Sequence, residues 1–312
     1  VSFYYVDRIF EISPQSIRGL KNITHNESFF YQLPNGDTVI SPAVITEALA
    51  QLGAWLQIHN ADFKMRPVLL SDELTEYRRF VRPGEQLDLR VKLIGSDDEV
   101  LSSYGEAYVG QELVAVSHHC RGYLLAMEDF EDSDAARARF QQIYRPEERP
   151  TVGAQGFMSL SRVMPQPASF VDGIVKCEAG RSVIGFKNFA LSEQYFATHF
   201  PRKPVVPGVL LMTLIGELAQ ALPPNEEDSI ALLPTFMRNV RFRKFVEPGD
   251  QVLVDLQVLH GRADVDDSDV LVRAQMHANG QRVMTGEVGF RTMVGSSVAA
   301  LSRQTAVEPM FQ

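Results

Sequence analysis

Residues 199–222 read HFPRKPVVPGVLLMTLIGELAQAL, and they decide how the rest of the chain is understood. A histidine heads a turn ruled by Pro201, Pro204 and Pro207 and closed by Gly208. The turn feeds an apolar run that Pro223 and Pro224 end. Proline presets the entry of a helix and cannot continue one, so the spacing predicts a helix over 207–222. That helix is apolar nearly all round, which predicts burial. A histidine fixed by prolines at the mouth of a buried helix raises the question of what it meets there.

Outward from this stretch the chain repeats itself. NESFFYQLPNGDTVISPAVITEALAQ from Asn26 matches SEQYFATHFPRKPVVPGVLLMTLIGELAQ from Ser192. Glu27 meets Glu193, Phe29 meets Tyr195 and Phe30 meets Phe196, 166 residues apart. FVRPGEQLDLRV from Phe80 and FVEPGDQVLVDL from Phe245 stand 165 apart. Two blocks at nearly one offset indicate a duplicated domain rather than a solenoid, whose period is far shorter. Each copy carries one buried helix, the first over about 42–59, followed by alternating strand runs that end at Gly, Asp or Asn. The expected organisation is a domain over 1–126, a polar linker over 127–152 holding a short helix, a second domain over 153–293 and a tail over 294–312.

Composition bounds the function. The 312 residues are 45% hydrophobic and 22% charged, as in ordinary globular proteins. A net charge of −9 argues against nucleic acid or an anionic membrane as the general partner. No apolar run approaches the ~20 residues of a membrane helix. No secretory leader pattern opens the chain, which starts at Val1 as a trimmed or excised piece would. Cys120 and Cys177 are far apart and in no metal spacing, so no metal site is expected and both read as reduced structural thiols. A cytoplasmic protein is expected.

HFPRKPVVPGVL resembles the active-site motif of the 3-hydroxyacyl-[acyl-carrier-protein] dehydratases (FabZ/FabA-like). EALAQ at 47–51 resembles the acidic motif of that family, and YYVDRIFEI at 4–12 and FRKFVEPGDQ at 242–251 fit its opening and its strand pair. The resemblance covers most of residues 1–292. It implies an α+β hotdog fold, a helix wrapped by a curved antiparallel sheet, here a double hotdog in which one chain supplies both members of a pseudo-dimer. A further homo-oligomer is left open by the sequence. The family builds each site from the histidine of one subunit and the acid of the other, fourteen positions apart within a motif. Fourteen positions after His199 stands Thr213, and fourteen before Glu47 stands Leu33. The resemblance therefore implies one composite site with His199 and Glu47 as catalytic pair, and one degenerate site with Leu33 and Thr213. It implies oxyanion and substrate contacts at Gly208, Gln51, Val209 and Pro204. The substrate would ride on the phosphopantetheine of an acyl carrier protein, with no other cofactor.

These residue types suit the chemistry. Dehydration of a 3-hydroxyacyl thioester removes a C2 proton and expels the C3 hydroxyl. Histidine is a base tuned near neutrality, and a carboxyl in an apolar tunnel stays protonated and can protonate the leaving group. The Gly208 N–H at a helix N-terminus can face charge developing on the thioester oxygen.

Other features carry less. Glu217 lies one turn after Thr213 and either serves separately or, the favoured reading, stands in for a glutamine at that place. His25, His59, His118, His119, His260 and His277 share no spacing and read as structural. The basic stretches at 77–82 and 238–244 are either solvated strand faces or, through Arg241 and Arg243 with Arg202 and Lys203, a patch for an acidic carrier protein. An acyl-thioesterase and a non-catalytic acyl-binding module are the competing functions. The histidine–proline block argues against the first and the surviving complementary pair against the second.

Overall fold

A computed structural model describes residues 4–24, 27, 29–33, 36–97, 100–146, 170–223, 230–259 and 268–294. His25, His260, Pro224, residues 147–169 and the tail from 295 lie outside the described residues. The first half runs β1 (Arg8–Ile12), β2 (Ser16–Asn22), β3 (Phe30–Gln32), β4 (Thr38–Ile40), α1 (Pro42–Asn60), β5 (Met65–Tyr77), β6 (Gln86–Asp97), β7 (Val100–Val109) and β8 (Glu112–Ala126). Helix α2 (Ser133–Ile143) follows. The second half runs β9 (Gly173–Glu178), β10 (Ser182–Asn188), α3 (Gly208–Ala219), β11 (Ile230–Phe242), β12 (Gln251–Leu259), β13 (Val270–Ala278) and β14 (Gln281–Val294).

Twelve strands form one sheet, ordered β1-β2-β6-β7-β8-β5-β11-β14-β13-β12-β10-β9. Equivalent strands stand at equal distances from the centre, so the order is a palindrome of the two copies. The join is antiparallel pairing of β5 with β11, in register Phe236 with Glu76, Met237 with Thr75 and Val240 with Asp72. The remaining strands, β3 and β4, make a separate hairpin. This is a double hotdog: α1 and α3 each lie against the sheet of their own half and touch one another. Their apolar faces merge in one core, from Val44, Leu52 and Leu56 on α1 to Leu210, Leu214 and Leu218 on α3. None of the described helices is long and apolar enough to cross a membrane.

The duplication is visible in polar detail. Lys21 bonds Glu27 at 2.6 Å, and the matching Lys187 reaches Glu193 at 3.6 Å. The Asn22 N–H donates to Asp7 at 2.6 Å, and the Asn188 N–H donates to Asp172 at 2.7 Å. Gly84 and Gly249, in the two Pro-Gly turns, share a φ of 95° that only glycine adopts without strain.

The segment after β8 is more than a connection. Asp132 caps α2 by accepting from the Asp134 and Ala135 N–H groups at 3.0 Å. Phe140 on α2 packs against Trp55 at 5.8 Å, His59 at 5.2 Å and Phe63 at 5.6 Å. Helix α2 thus closes the C-terminal end of α1. Phe140→Ala should destabilise the protein by about 3–5 kcal/mol in chemical denaturation, as for a buried aromatic. A loss under about 1 kcal/mol would show that α2 merely spans the halves.

Candidate active site

Helix α1 starts with Pro42 at its first turn, and its interior is almost wholly apolar, so it sinks into the core and takes Glu47 with it. Gln51, one turn on, holds that carboxylate. Its Oε1 accepts from the Tyr5 N–H at 2.8 Å, which aims Nε2 at Glu47 Oε1, also at 2.8 Å. Burial pushes the Glu47 carboxyl up to about 7, against the opposing pull of the Gln51 bond and the Arg66 charge.

His199 follows a 3-10 turn, Gln194–Ala197, and its N–H bonds the Tyr195 carbonyl at 2.7 Å. Phe200 then takes φ of 60°, a left-handed conformation that a bulky side chain rarely adopts. The bend stacks its ring on the imidazole at 4.1 Å. Phe130, from the segment after β8, meets Phe200 edge-on at 4.9 Å, and its carbonyl accepts from the Arg202 N–H at 2.8 Å. His199 Nδ1 lies 3.1 Å from the Val205 carbonyl. A carbonyl only accepts, so the proton sits on Nδ1 and the lone pair on Nε2. Burial, with the Arg66 charge, depresses the imidazole to about 3 despite the Val205 bond.

Both groups line one cavity of about 410 Å³. Glu47 enters from the first half and His199 from the second. Gly208 and Gln51 also line it. At Gly208, the first residue of α3, a Cβ would come within 2.9 Å of Phe242, so glycine keeps the backbone N–H at the wall. Val209 and Pro204, expected as substrate contacts, do not line the cavity. Val209 lies one residue along α3 and turns into the core, and Val205, Val206 and Leu211 form the wall instead. The expected basic patch is also divided. Arg243 lines the cavity with Lys244 and Arg121, whereas Arg202 is drawn to the Glu128 carbonyl at 3.1 Å and Lys203 lies over Phe245 at 4.8 Å. Arg241 is exposed outside the lining.

The mirror positions are built differently. Leu33 is buried with Val39, Leu233 and Met293. The Thr213 hydroxyl donates back to the Val209 carbonyl at 2.9 Å. Ala50 lines the cavity in the first copy, while the matching Gly216 lies against the Tyr31 hydroxyl. Glu217 accepts from the Phe170 and Val171 N–H groups at 2.8 and 3.2 Å, as Gln51 accepts from Tyr5. It ties down the entry of its half and does not line the cavity.

Sequence reasoning missed Arg66. It stands at the head of β5, over the Phe200 ring at 4.4 Å, and its charge acts on both Glu47 and His199. The signal was an isolated arginine opening an otherwise apolar run, RPVLL. Cys120, read as a structural thiol, is free and half-buried on the cavity wall.

Among solved structures the fold matches a MaoC-like dehydratase (TM-score 0.50, 10% identity, 92% of this chain and 98% of that one). It also matches a putative oleoyl thioesterase from Lactobacillus plantarum (TM-score 0.52, 11% identity, 89% and 96%). The FabA-like domain family matches residues 1–117 and 164–287, and the chain belongs to that family. Among curated relatives it is similar to the 3-hydroxyacyl-[acyl-carrier-protein] dehydratase FabZ of Anoxybacillus flavithermus (32% identity over 136 residues, 39% of this chain, 96% of that one). FabZ of Geobacillus thermodenitrificans is 35% identical over 101 residues, 32% of this chain and 70% of its own length.

The two shifts make opposite demands on stability. Native Glu47 keeps a proton that the unfolded chain loses between about 4.5 and 7, so its contribution falls as pH rises through that window. Native His199 lacks a proton that the unfolded chain holds between about 3 and 6.5, so its contribution grows as pH rises there. In urea denaturation, Glu47→Gln minus wild type should climb with pH across the first window. His199→Gln minus wild type should fall across the second. Each slope approaches about 1.4 kcal/mol per pH unit. Parallel profiles for wild type and both variants would refute the assignment.

Proposed function

We propose that the chain is a hydro-lyase that dehydrates (3R)-3-hydroxyacyl thioesters on an acyl carrier protein to trans-2-enoyl thioesters, in fatty-acid or polyketide-type biosynthesis. It uses one composite site per chain. The observation that carries this reading is the meeting of His199 and Glu47, from different halves, on one cavity wall with opposite shifts. Near pH 7 the imidazole is neutral and the carboxyl still holds a proton. His199 Nε2 takes the C2 proton. Glu47 gives its proton to the C3 hydroxyl, which leaves as water as the C2–C3 double bond forms. The Gly208 N–H, at the positive end of α3, faces the thioester oxygen while charge develops on it. Gln51 positions Glu47 rather than the substrate. Arg121, Arg243 and Lys244 offer cations to the phosphate of the carrier arm against the overall negative charge of the chain. No cofactor beyond that arm enters the reaction.

The test is turnover of a 3-hydroxyacyl thioester followed by enoyl absorbance. His199→Ala and Glu47→Gln should each lower kcat about 10²- to 10⁴-fold. The double variant should be little worse, because the two groups act as a unit. Glu217→Gln should cost little activity. The rate should fall above about pH 7 as Glu47 loses its proton. If Glu217→Gln abolished turnover and Glu47→Gln spared it, the acid would belong to the second half and the composite site would be wrong.

A further inference from the structure

Beyond Glu47 and His199, one wall of the cavity is strongly charged. Arg66 from β5 and Arg139 from α2 both line it, and Glu131 lies between them. Arg66 Nη1 donates to Glu131 at 2.5 Å, and Arg139 Nη2 donates to the other oxygen of the same carboxylate. Tyr4 and Trp55 flank Arg139, which donates to the Tyr4 hydroxyl at 2.8 Å and lies 5.8 Å from the Trp55 ring. The Arg66, Glu131 and Arg139 side chains are only 17%, 7% and 20% exposed.

One carboxylate serves two buried guanidinium groups, so this wall holds an excess positive charge. Burial is costly for an uncompensated charge, and it pulls the Arg66 guanidinium below its usual value. The Arg66 and Arg139 side chains keep this partial exposure where they line the cavity, so the excess charge is within reach of a ligand. A methyl-ended acyl chain would cover that charge without answering it. A group that only accepts and carries negative charge would compensate it.

The geometry points to a carboxylate subsite at the Arg66–Arg139 wall, so that the preferred substrate is a 3-hydroxyacyl thioester whose acyl chain bears a carboxylate at its far end. This rests on the dehydratase reading and deepens it. Arg66 stands one ring away from His199, through Phe200, so a chain with C2 and C3 at the catalytic pair runs past Arg66 toward Arg139. The other anion a carrier-borne substrate brings is the phosphate of its arm. The exposed Arg121, Arg243 and Lys244, which also line the cavity, suit that phosphate better than a buried pair does.

The experiment compares 3-hydroxyadipyl and 3-hydroxysuberyl thioesters with 3-hydroxyhexanoyl and 3-hydroxyoctanoyl thioesters. All are made on pantetheine without its phosphate, so that any preference comes from the acyl end, and the six-carbon pair is made again on phosphopantetheine. Wild type should favour the carboxylate-ended member of at least one pair by about 10- to 100-fold in kcat/KM. Arg139→Met should abolish that preference through KM, and Glu131 keeps Arg66 as partner in this variant. Calorimetric binding of the unreactive adipyl and hexanoyl pantetheine thioesters should show the same order. Preference for the methyl-ended chains, or an unchanged preference in Arg139→Met, overturns the subsite and leaves the dehydratase reading intact. A loss in Arg139→Met seen only with phosphorylated arms assigns the cations to the arm and overturns it too. Tight binding of the adipyl thioester without turnover of any substrate keeps the subsite and sinks the dehydratase reading.

Discussion

Everything at the cavity depends on the antiparallel ladder between β5 and β11. Each hydrogen bond in it contributes only about 1 kcal/mol net, but the register it fixes has no substitute. A slip of one residue would move one half by about 3.3 Å along the other and turn every side chain of the strand to the opposite face. Glu47 rides on the first half and His199 on the second, and proton transfer requires placement within hydrogen-bond reach. The register of Val240 with Asp72 and Phe236 with Glu76 therefore sets, from a distance, how Glu47 and His199 come to line one cavity. The segment after β8 adds a second tie. Phe130 grips the strained Phe200, and its carbonyl holds Arg202.

The same burial that closes the cavity divides the labour between its two titratable groups. Low dielectric disfavours whichever form is charged, so one environment raises a carboxyl and lowers an imidazole. Arg66 acts on both, deepening the shift of His199 and limiting that of Glu47. Without a cation nearby, Glu47 would lie higher still and release its proton more reluctantly. A carboxyl near 7 is close to the balance between holding a proton and giving it up at neutral pH.

Much of this was legible in the sequence, for definite reasons. The helices announce themselves because proline starts and stops them and their apolar runs are long. The boundary of α1, expected over about 42–59, is Pro42–Asn60, while α3 is the shorter Gly208–Ala219 because its last turn unwinds before the prolines. The duplication could be read from Glu27 and Glu193 because both hold a lysine of the equivalent strand. Placement was harder wherever a side chain's neighbours come from distant strands. Val209 and Gly208 are adjacent in sequence, yet helical rotation separates the wall from the core. Arg202 and Arg243 read as one patch, but Asp132 and Glu128, far away in sequence, claim the first. Arg66 offered only its isolation in an apolar run, because its partner Glu131 lies just before α2, in a segment that reads as a polar linker.

Two copies of one domain inside a single chain provide an internal control. What both retain are the contacts that a hotdog half needs to close. These are the lysine–glutamate pairs, the aspartate that caps the strand end, and the side chain one turn past the acid position that bonds the entering strand. In that last place Glu217 does the work of Gln51, because two backbone N–H groups can be met by a carboxylate as well as by an amide oxygen. What the copies do not share is chemistry. A carboxyl at position 213 would share the buried helix interface with no histidine opposite, since Leu33 stands there, and would be an uncompensated polar group in an apolar core. Thr213 avoids that penalty by bonding its own helix, Leu33 packs into a small apolar cluster, and the Tyr31 hydroxyl lies against Gly216 where the first copy has the cavity-lining Ala50. On the proposed composite site, a lone member of a proton-transfer pair gains nothing from burial, and a group that satisfies itself is the more stable occupant; Thr213 and Leu33 are such groups.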